Sequence, residues 1–110
     1  MHVINIKPLK AYTDNYIWLL ETNEEVSVVD PGDAKPVLDY LSKTNKNIRD
    51  IFITHHHFDH TAGVPELENI ISGSIYGPKN SYELINEKVT QGDTLSSLGI
   101  KFEIIEVPGH

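Results

Sequence analysis

The chain has 110 residues, a length typical of one domain, and is 39% hydrophobic and 23% charged, which indicates a globular protein. Its formal net charge is −7 at pH 7. We therefore expect no binding to nucleic acid, whose phosphates attract Lys and Arg. The absence of cysteine excludes disulfides, iron–sulfur clusters and thiolate zinc sites. With no apolar run of about 20 residues and no secretory leader in the sequence, we expect a cytoplasmic protein without membrane contacts.

The first thirty residues predict three strands. Apolar residues alternate loosely over 3–9 and indicate an opening strand. Two runs rich in β-branched and aromatic residues, 15–20 and 25–30, flank the polar turn "ETNE". These two runs predict a β-hairpin.

A helix is predicted next. "DPGDA" contains Pro and Gly, which end the preceding strand, and Asp33 is a candidate N-cap residue. Apolar residues then recur at helical spacing, at Ala34, Val37, Leu38 and Leu41. "TNKN" ends the predicted helix.

The second half of the chain alternates strands with helical segments. We predict strands at 50–54, 73–77 and 101–107 and a short helix at 64–71, whereas 78–88 fits either a helix or a loop. This alternation indicates an α/β layered fold, in which parallel strands bind ligands beyond their carboxyl ends.

"THHHFDH" follows the predicted strand 50–54 and holds four of the six histidines of the chain. In an extended chain His55 and His57 point to one side and His56 to the other. Asp59 and His60 follow where the chain turns, so two adjacent metal ions fit this segment better than one. Imidazole and carboxylate ligands suit zinc, with iron or manganese as alternatives.

The simpler interpretation is a histidine-rich surface loop, but four histidines and an aspartate at one strand end favour metal binding. We assign His56 a spacing or supporting role. The closing "PGH" puts His110 after another predicted strand. Together with His55 and His57, it would complete a three-nitrogen site with one position left for water, as in catalytic zinc centres.

These residues resemble a known family. "THHHFDH" matches the T-H-X-H-X-D-H signature of the metallo-β-lactamase superfamily, and "YTDNYIWLL", "VVDPGDAKPVL", "YGP" and "VPGH" are similar to segments of the glyoxalase II (hydroxyacylglutathione hydrolase) family. The resemblance extends from about residue 7 to residue 110. It implies an αββα sandwich, of which residues 1–110 supply about the first half.

The resemblance also implies residue roles. His55, His57 and His110 correspond to ligands of the first metal, and Asp59 and His60 to ligands of the second. Asp59 is in addition the candidate catalytic residue, as a partner for the proton of the attacking water. Asp30 matches a family residue that supports the site rather than binds metal, although it could equally be a plain turn residue. Residues 14–16 match a segment that shapes the floor of the site, but core packing would explain Tyr16 and the nearby Trp18 equally well.

The implied reaction is hydrolysis of S-D-lactoylglutathione to D-lactate and glutathione, which detoxifies methylglyoxal. We expect two zinc ions in a full-length monomer, a glutathione thioester as the small-molecule substrate, and a C-terminal helical glutathione-binding domain that residues 1–110 do not include. We therefore interpret the chain as a fragment that is inactive alone.

Two alternatives remain at this point. A persulfide dioxygenase with one iron resembles the same family closely. The chain could also be an inactive half-domain that seeks a partner through an unpaired sheet face.

Overall fold

The computed structural model describes residues 5–11, 15–54, 61–78 and 82–104. For Lys10, Ala11 and Asn15 only the backbone is described. In chain order the elements are β1 (Asn5–Ala11), β2 (Asn15–Glu21), β3 (Glu25–Val29), α1 (Ala34–Thr44), β4 (Asn47–Phe52), α2 (Val64–Leu67), a 3₁₀ turn (Glu68–Ile70), β5 (Ile75–Pro78), β6 (Glu87–Val89), β7 (Thr94–Ser97) and β8 (Ile100–Glu103). No helix within the described ranges is long and apolar enough to cross a membrane.

The main sheet is mixed, with strand order β1-β2-β3-β4-β5-β6, and β7 pairs with β8 in a separate antiparallel hairpin. The pairs β1–β2 and β2–β3 are antiparallel. The pairs from β3 to β6 are parallel. Strands β3, β4 and β5 therefore all end at one edge of the sheet, which we call the carboxyl edge.

The core lies on one face of the main sheet, because alternate side chains of each strand point to that face. Its fully buried members include Leu19, Val28 and Ile51 from neighbouring strands, with Val37 of α1 and Leu67 of α2 packed against them. We call this the helix face. The opposite face carries the hairpin β7–β8 through a contact between the rings of Phe52 and Phe102, and is called the hairpin face.

The predicted helix is confirmed, with one error in its buried face. Asp33 caps it by accepting a hydrogen bond from Lys35 N, 3.1 Å away. Asn45 ends it in the left-handed conformation at φ 59°, which asparagine tolerates. Leu38 was expected in the apolar stripe but is exposed; the helix buries Ala34 and Val37 instead.

The predicted hairpin of the first half and the strand at 73–77 are confirmed as β2–β3 and β5. The segment 64–71 divides into α2 and the 3₁₀ turn, and the ambiguous 78–88 contains the start of β6. The sequence analysis missed β7. The last strand begins one residue earlier than predicted and ends at Glu103, while residues 105–107 lie outside the described ranges.

Tyr16 and Trp18 are not core residues of this chain. They lie on β2 with their rings 6.2 Å apart and are 52% and 44% exposed. Trp18 is in register with Val29, which is in register with Phe52 of β4. These side chains continue the hairpin face beyond the area that β7–β8 covers.

Tyr40 of α1 and Lys46, just after the helix, both bind the buried carboxylate of Glu21 on β2. Glu21 accepts hydrogen bonds from Tyr40 Oη and from Lys46 Nζ at 3.0 Å, and Lys7 Nζ lies 5.0 Å from the Tyr40 ring centre. Burial by itself raises the pKa of Glu21, but the hydrogen bonds from Tyr40 and Lys46 and the charges of Lys46 and Lys7 outweigh it and lower that pKa below 4.5. Burial and the Glu21 carboxylate raise the pKa of Tyr40 to about 12.

We expect the substitution Glu21→Gln to lower the free energy of unfolding by about 1–3 kcal/mol at pH 7, because hydrogen bonds to a charged group are lost. A carboxylate whose pKa is lowered by folding stabilises the protein above its unfolded-state pKa, and this contribution disappears as the pH falls through its folded-state pKa. The difference between wild type and variant should therefore shrink below about pH 4.5, as measured by urea unfolding. Glu24→Gln, at an exposed position of the adjacent turn, is the control. A difference that stays constant down to pH 2 would contradict this account.

Candidate functional site

Asp30 joins the ends of two strands at the carboxyl edge. It follows β3, is buried, and has φ 50°, a left-handed conformation that aspartate tolerates better than most residues. Its backbone N donates to Phe52 O at 2.8 Å. Its carboxylate accepts from Thr54 twice: from the backbone N at 2.7 Å and from the hydroxyl. Asp30 thus holds the residue that immediately precedes residues 55–60.

Gly63 is attached to the loop that begins at Asp30. Its backbone N donates to Pro31 O at 2.9 Å. A Cβ atom added at Gly63 would lie 2.6 Å from both Pro31 O and Ala34 N, which are backbone atoms that cannot move aside cheaply. Only glycine therefore fits at this position. Residues 30–33, which we call the 30–33 loop, contact the chain on both sides of residues 55–60.

The predicted metal ligands themselves, namely His55, His57, Asp59, His60 and His110, lie outside the described residues. In the described ranges no three His, Cys, Asp or Glu side chains come close enough to hold a metal ion. The structure describes the two flanks of the ligand-bearing segment. Thr54 is attached to Asp30, and Thr61 is buried two residues before Gly63.

The hairpin approaches the carboxyl edge from the hairpin face. The Phe102 ring of β8 lies 5.9 Å from Phe52, which is the last residue of β4. Ile104 is held to the start of the hairpin, since its N donates to Asp93 O at 2.9 Å and its O accepts from Gly92 N at 3.0 Å. The strand that precedes residues 105–110 is therefore fixed relative to the end of β4.

The sequence analysis gave Asp30 either of two roles, and its contacts with Thr54 favour the supporting one. Of the segment 14–16, Asp14 is outside the described residues and Tyr16 is half exposed. Thr54 and Gly63 were missed as supporting residues. Gly63 is the N-cap residue of α2, where glycine is common for other reasons, so no local signal marked its contact with the 30–33 loop.

Comparisons with a family model and with curated proteins agree on the family of this chain. A sequence model described as the metallo-β-lactamase superfamily matches residues 13–108. A protein of Pseudoalteromonas translucida named hydroxyacylglutathione hydrolase is 46% identical over 115 residues, which cover 98% of this chain and 44% of that protein. A protein of the same name from Methylobacillus flagellatus is 43% identical, again over 98% of this chain and 44% of its own length. The chain thus spans less than half the length of these curated relatives.

Solved structures show the same fold. The B3 metallo-β-lactamase BLEG-1 superposes with a TM-score of 0.82 at 18% identity, over 96% of this chain and 62% of that one. The ETHE1 protein of Myxococcus xanthus gives a TM-score of 0.64 at 22% identity, over 86% of this chain and 43% of that one. A main sheet with helices on one face and the β7–β8 hairpin on the other corresponds to part of an αββα sandwich.

We expect Thr54→Val to lower the free energy of unfolding by about 1–2 kcal/mol, because it removes the hydroxyl that donates to Asp30 while keeping the shape of the side chain. Thr54→Ser keeps that hydroxyl and should stay within about 0.5 kcal/mol of wild type. Urea unfolding measures both. Equal stability of the two variants would mean that the hydroxyl contact contributes nothing.

We expect Gly63→Ala to destabilise the protein by about 3 kcal/mol or more, because its Cβ would overlap backbone atoms. Gly92→Ala separates this effect from backbone strain: Gly92 has φ 91° with open space around it, so alanine there should lose only about 1–2 kcal/mol. Thermal unfolding of both variants tests the difference. A loss at Gly63 no greater than at Gly92 would show that the 30–33 loop yields to a side chain.

Proposed function

Because the chain belongs to the metallo-β-lactamase superfamily, whose name implies metal ions, we propose that it is the N-terminal portion of a binuclear metallohydrolase that cleaves S-D-lactoylglutathione. Its matched relatives are named hydroxyacylglutathione hydrolases. By that name, these relatives hydrolyse a hydroxyacylglutathione, which is a small molecule.

One observation carries the proposal: the 30–33 loop attaches both flanks of residues 55–60 at the carboxyl edge. Thr54 is bonded to Asp30, and Gly63 to Pro31. A segment with four histidines and one aspartate between two fixed points is well suited to hold its ligands in one orientation, which metal sites require. The carboxyl ends of parallel strands are also where α/β sheets bind ligands.

The donor set fits zinc. We assign His55, His57 and His110 to a first ion and Asp59 and His60 to a second, with two zinc ions per full-length chain. Imidazole and carboxylate are ligands of zinc, and of iron or manganese as alternatives. The fixed direction of β8 toward the end of β4 supports the inclusion of His110.

The reaction adds water across the thioester. A C–O bond forms at the carbonyl carbon, the C–S bond breaks, and glutathione leaves as a thiolate, which needs less proton transfer than an amine leaving group. Metal ions held by these ligands would supply an acidified water and stabilisation for negative charge on the carbonyl oxygen. Asp59 accepts the proton of the attacking water and orients it. Asp30 and Thr54 act on the ligands only through the backbone they hold.

We further propose that residues 1–110 form part of one metallo-β-lactamase-like domain, and that a helical domain beyond them binds glutathione. A full-length monomer in the cytoplasm, without nucleic-acid or membrane partners, remains our prediction. The 110-residue chain alone is expected to be inactive, because the proposed second ion would have only two ligands from it.

In the full-length protein, His57→Ala should lower the rate of S-D-lactoylglutathione hydrolysis more than about a hundredfold, chiefly through loss of metal. Loss of a supporting contact lowers metal affinity or activity about 10–100-fold, and loss of a ligand should have a larger effect. Metal content by elemental analysis and thioester hydrolysis are measured on the same sample. His56→Ala is the matched control, because His56 is predicted to point away from the ions.

Full activity of His57→Ala with two metals retained would contradict the assignment. Wild-type protein that contains one iron and consumes oxygen, with no thioester hydrolysis, would favour the persulfide dioxygenase alternative.

A further inference from the structure

Three polar side chains from three strands meet on the hairpin face, away from the 30–33 loop. Ser27 lies on β3, Asp50 on β4 and Ser97 at the end of β7, and each is at most 3% exposed. Ser27 Oγ is 2.7 Å from Ser97 Oγ, Ser97 Oγ is 2.6 Å from Asp50 Oδ2, and Asp50 N is 3.3 Å from Ser27 Oγ. The set links the hairpin to the middle of the main sheet.

The directions of these hydrogen bonds follow from the number of protons. Ser97 donates its single hydroxyl proton to Asp50 Oδ2, so in the contact between the two serines Ser27 must be the donor. Ser27 in turn accepts from the backbone N of Asp50. The bonds therefore form a closed ring, which we call the Ser–Ser–Asp ring. Ser74 N donates to the other carboxylate oxygen at 2.8 Å.

The polar atoms of the ring all have hydrogen-bond partners within the ring or next to it. Buried acceptors and donors are destabilising when unpaired, and within the described residues every fully buried side-chain nitrogen and oxygen has a partner. Gly73 packs directly above Asp50, since an added Cβ would lie 2.0 Å from Asp50 Oδ1. A shift of the hairpin that moved Ser97 away from Asp50 would therefore leave buried polar atoms unpaired.

The ring also sets the direction of β8. Ser97 is paired with Ile100, the first residue of β8, at the level of Asp50. Two residues further along, Phe102 contacts Phe52, which lies two residues after Asp50. Strand β8 therefore runs alongside β4 toward the carboxyl edge.

The turn of the hairpin is strained, which is consistent with tight attachment. Leu98 is buried and has φ 58°, a left-handed conformation that costs a residue with a Cβ atom about 1–2 kcal/mol. Such strain persists only where surrounding contacts determine the conformation. The adjacent Ser97 provides one such contact.

We propose that the Ser–Ser–Asp ring is a positioning device for residues 105–110, and that Ser27, Asp50 and Ser97 act as positioning residues for His110. This inference rests on the proposed function, in which His110 completes the first metal site. The three residues bind neither metal nor substrate. They fix the strand from which the last ligand is presented.

The test is a double-mutant cycle in the full-length protein. Ser97→Ala removes the central hydroxyl of the ring, and His110→Ala removes the ligand. We expect Ser97→Ala to raise the zinc dissociation constant, measured by chelator competition, about tenfold, in the range seen for supporting contacts. In the His110→Ala background the same substitution should change it less than about twofold, because the residue being positioned is absent.

Ser96→Ala is the matched control, since Ser96 neighbours Ser97 on β7 but is exposed; it should leave zinc affinity unchanged in both backgrounds. Hydrogen exchange provides a readout that is independent of metal. The amide of Ile104, bonded to Asp93 O, should exchange faster in Ser97→Ala and not in Ser96→Ala. If Ser97→Ala fails to fold, Ser27→Ala opens the ring while keeping the Ser97–Asp50 bond and enters the same cycle.

Equal zinc affinity of Ser97→Ala and Ser96→Ala would overturn the inference. So would an equal loss in both backgrounds, because that marks a general loss of stability; in either case the proposed function stands. A wild-type zinc affinity for His110→Ala would instead show that the proposed ligand set is wrong, and the positioning role would fall with it.

Discussion

The attachment of Thr54 and Gly63 to the 30–33 loop, on either side of residues 55–60, is the constraint on which the carboxyl edge depends. One buried carboxylate, Asp30, satisfies both the backbone N and the hydroxyl of Thr54, and Gly63 closes the other side at van der Waals limits. Both contacts need β3 and β4 to end side by side, which their parallel pairing ensures. The 30–33 loop, which joins β3 to α1, thus fixes the two described residues that flank the histidine-rich segment.

A second polar system serves the opposite face. The Ser–Ser–Asp ring ties the β7–β8 hairpin to β3 and β4, while the aromatic contact between Phe52 and Phe102 supports it nearer the edge. Buried polar networks specify geometry more sharply than apolar contacts, because a shifted position leaves donors and acceptors unpaired. Asp30 holds Thr54, just after β4, at the carboxyl edge. The ring holds the hairpin whose strand β8 runs toward the same edge.

Helix and sheet are joined by different chemistry on the helix face. There apolar packing supplies most of the contact area, and the Glu21–Tyr40–Lys46 cluster adds one charged attachment. The hairpin face leaves Tyr16 and Trp18 partly exposed within the described chain. Because the relatives are more than twice as long as the segment they share with this chain, the described layers correspond to only part of an αββα sandwich.

The sequence by itself determined most of the local elements and predicted which residues would form the site. Proline, glycine and capping residues marked α1, alternation marked β2 and β3, and the spacing of "THHHFDH" indicated metal ligands, since these signals act over a few neighbouring residues. Only the tertiary structure decided that Asp30 bonds Thr54, that Gly63 abuts Pro31, and that Ser97 reaches Asp50. These contacts join residues from 24 to 47 positions apart, and their partners depend on which strands lie side by side rather than on any local pattern.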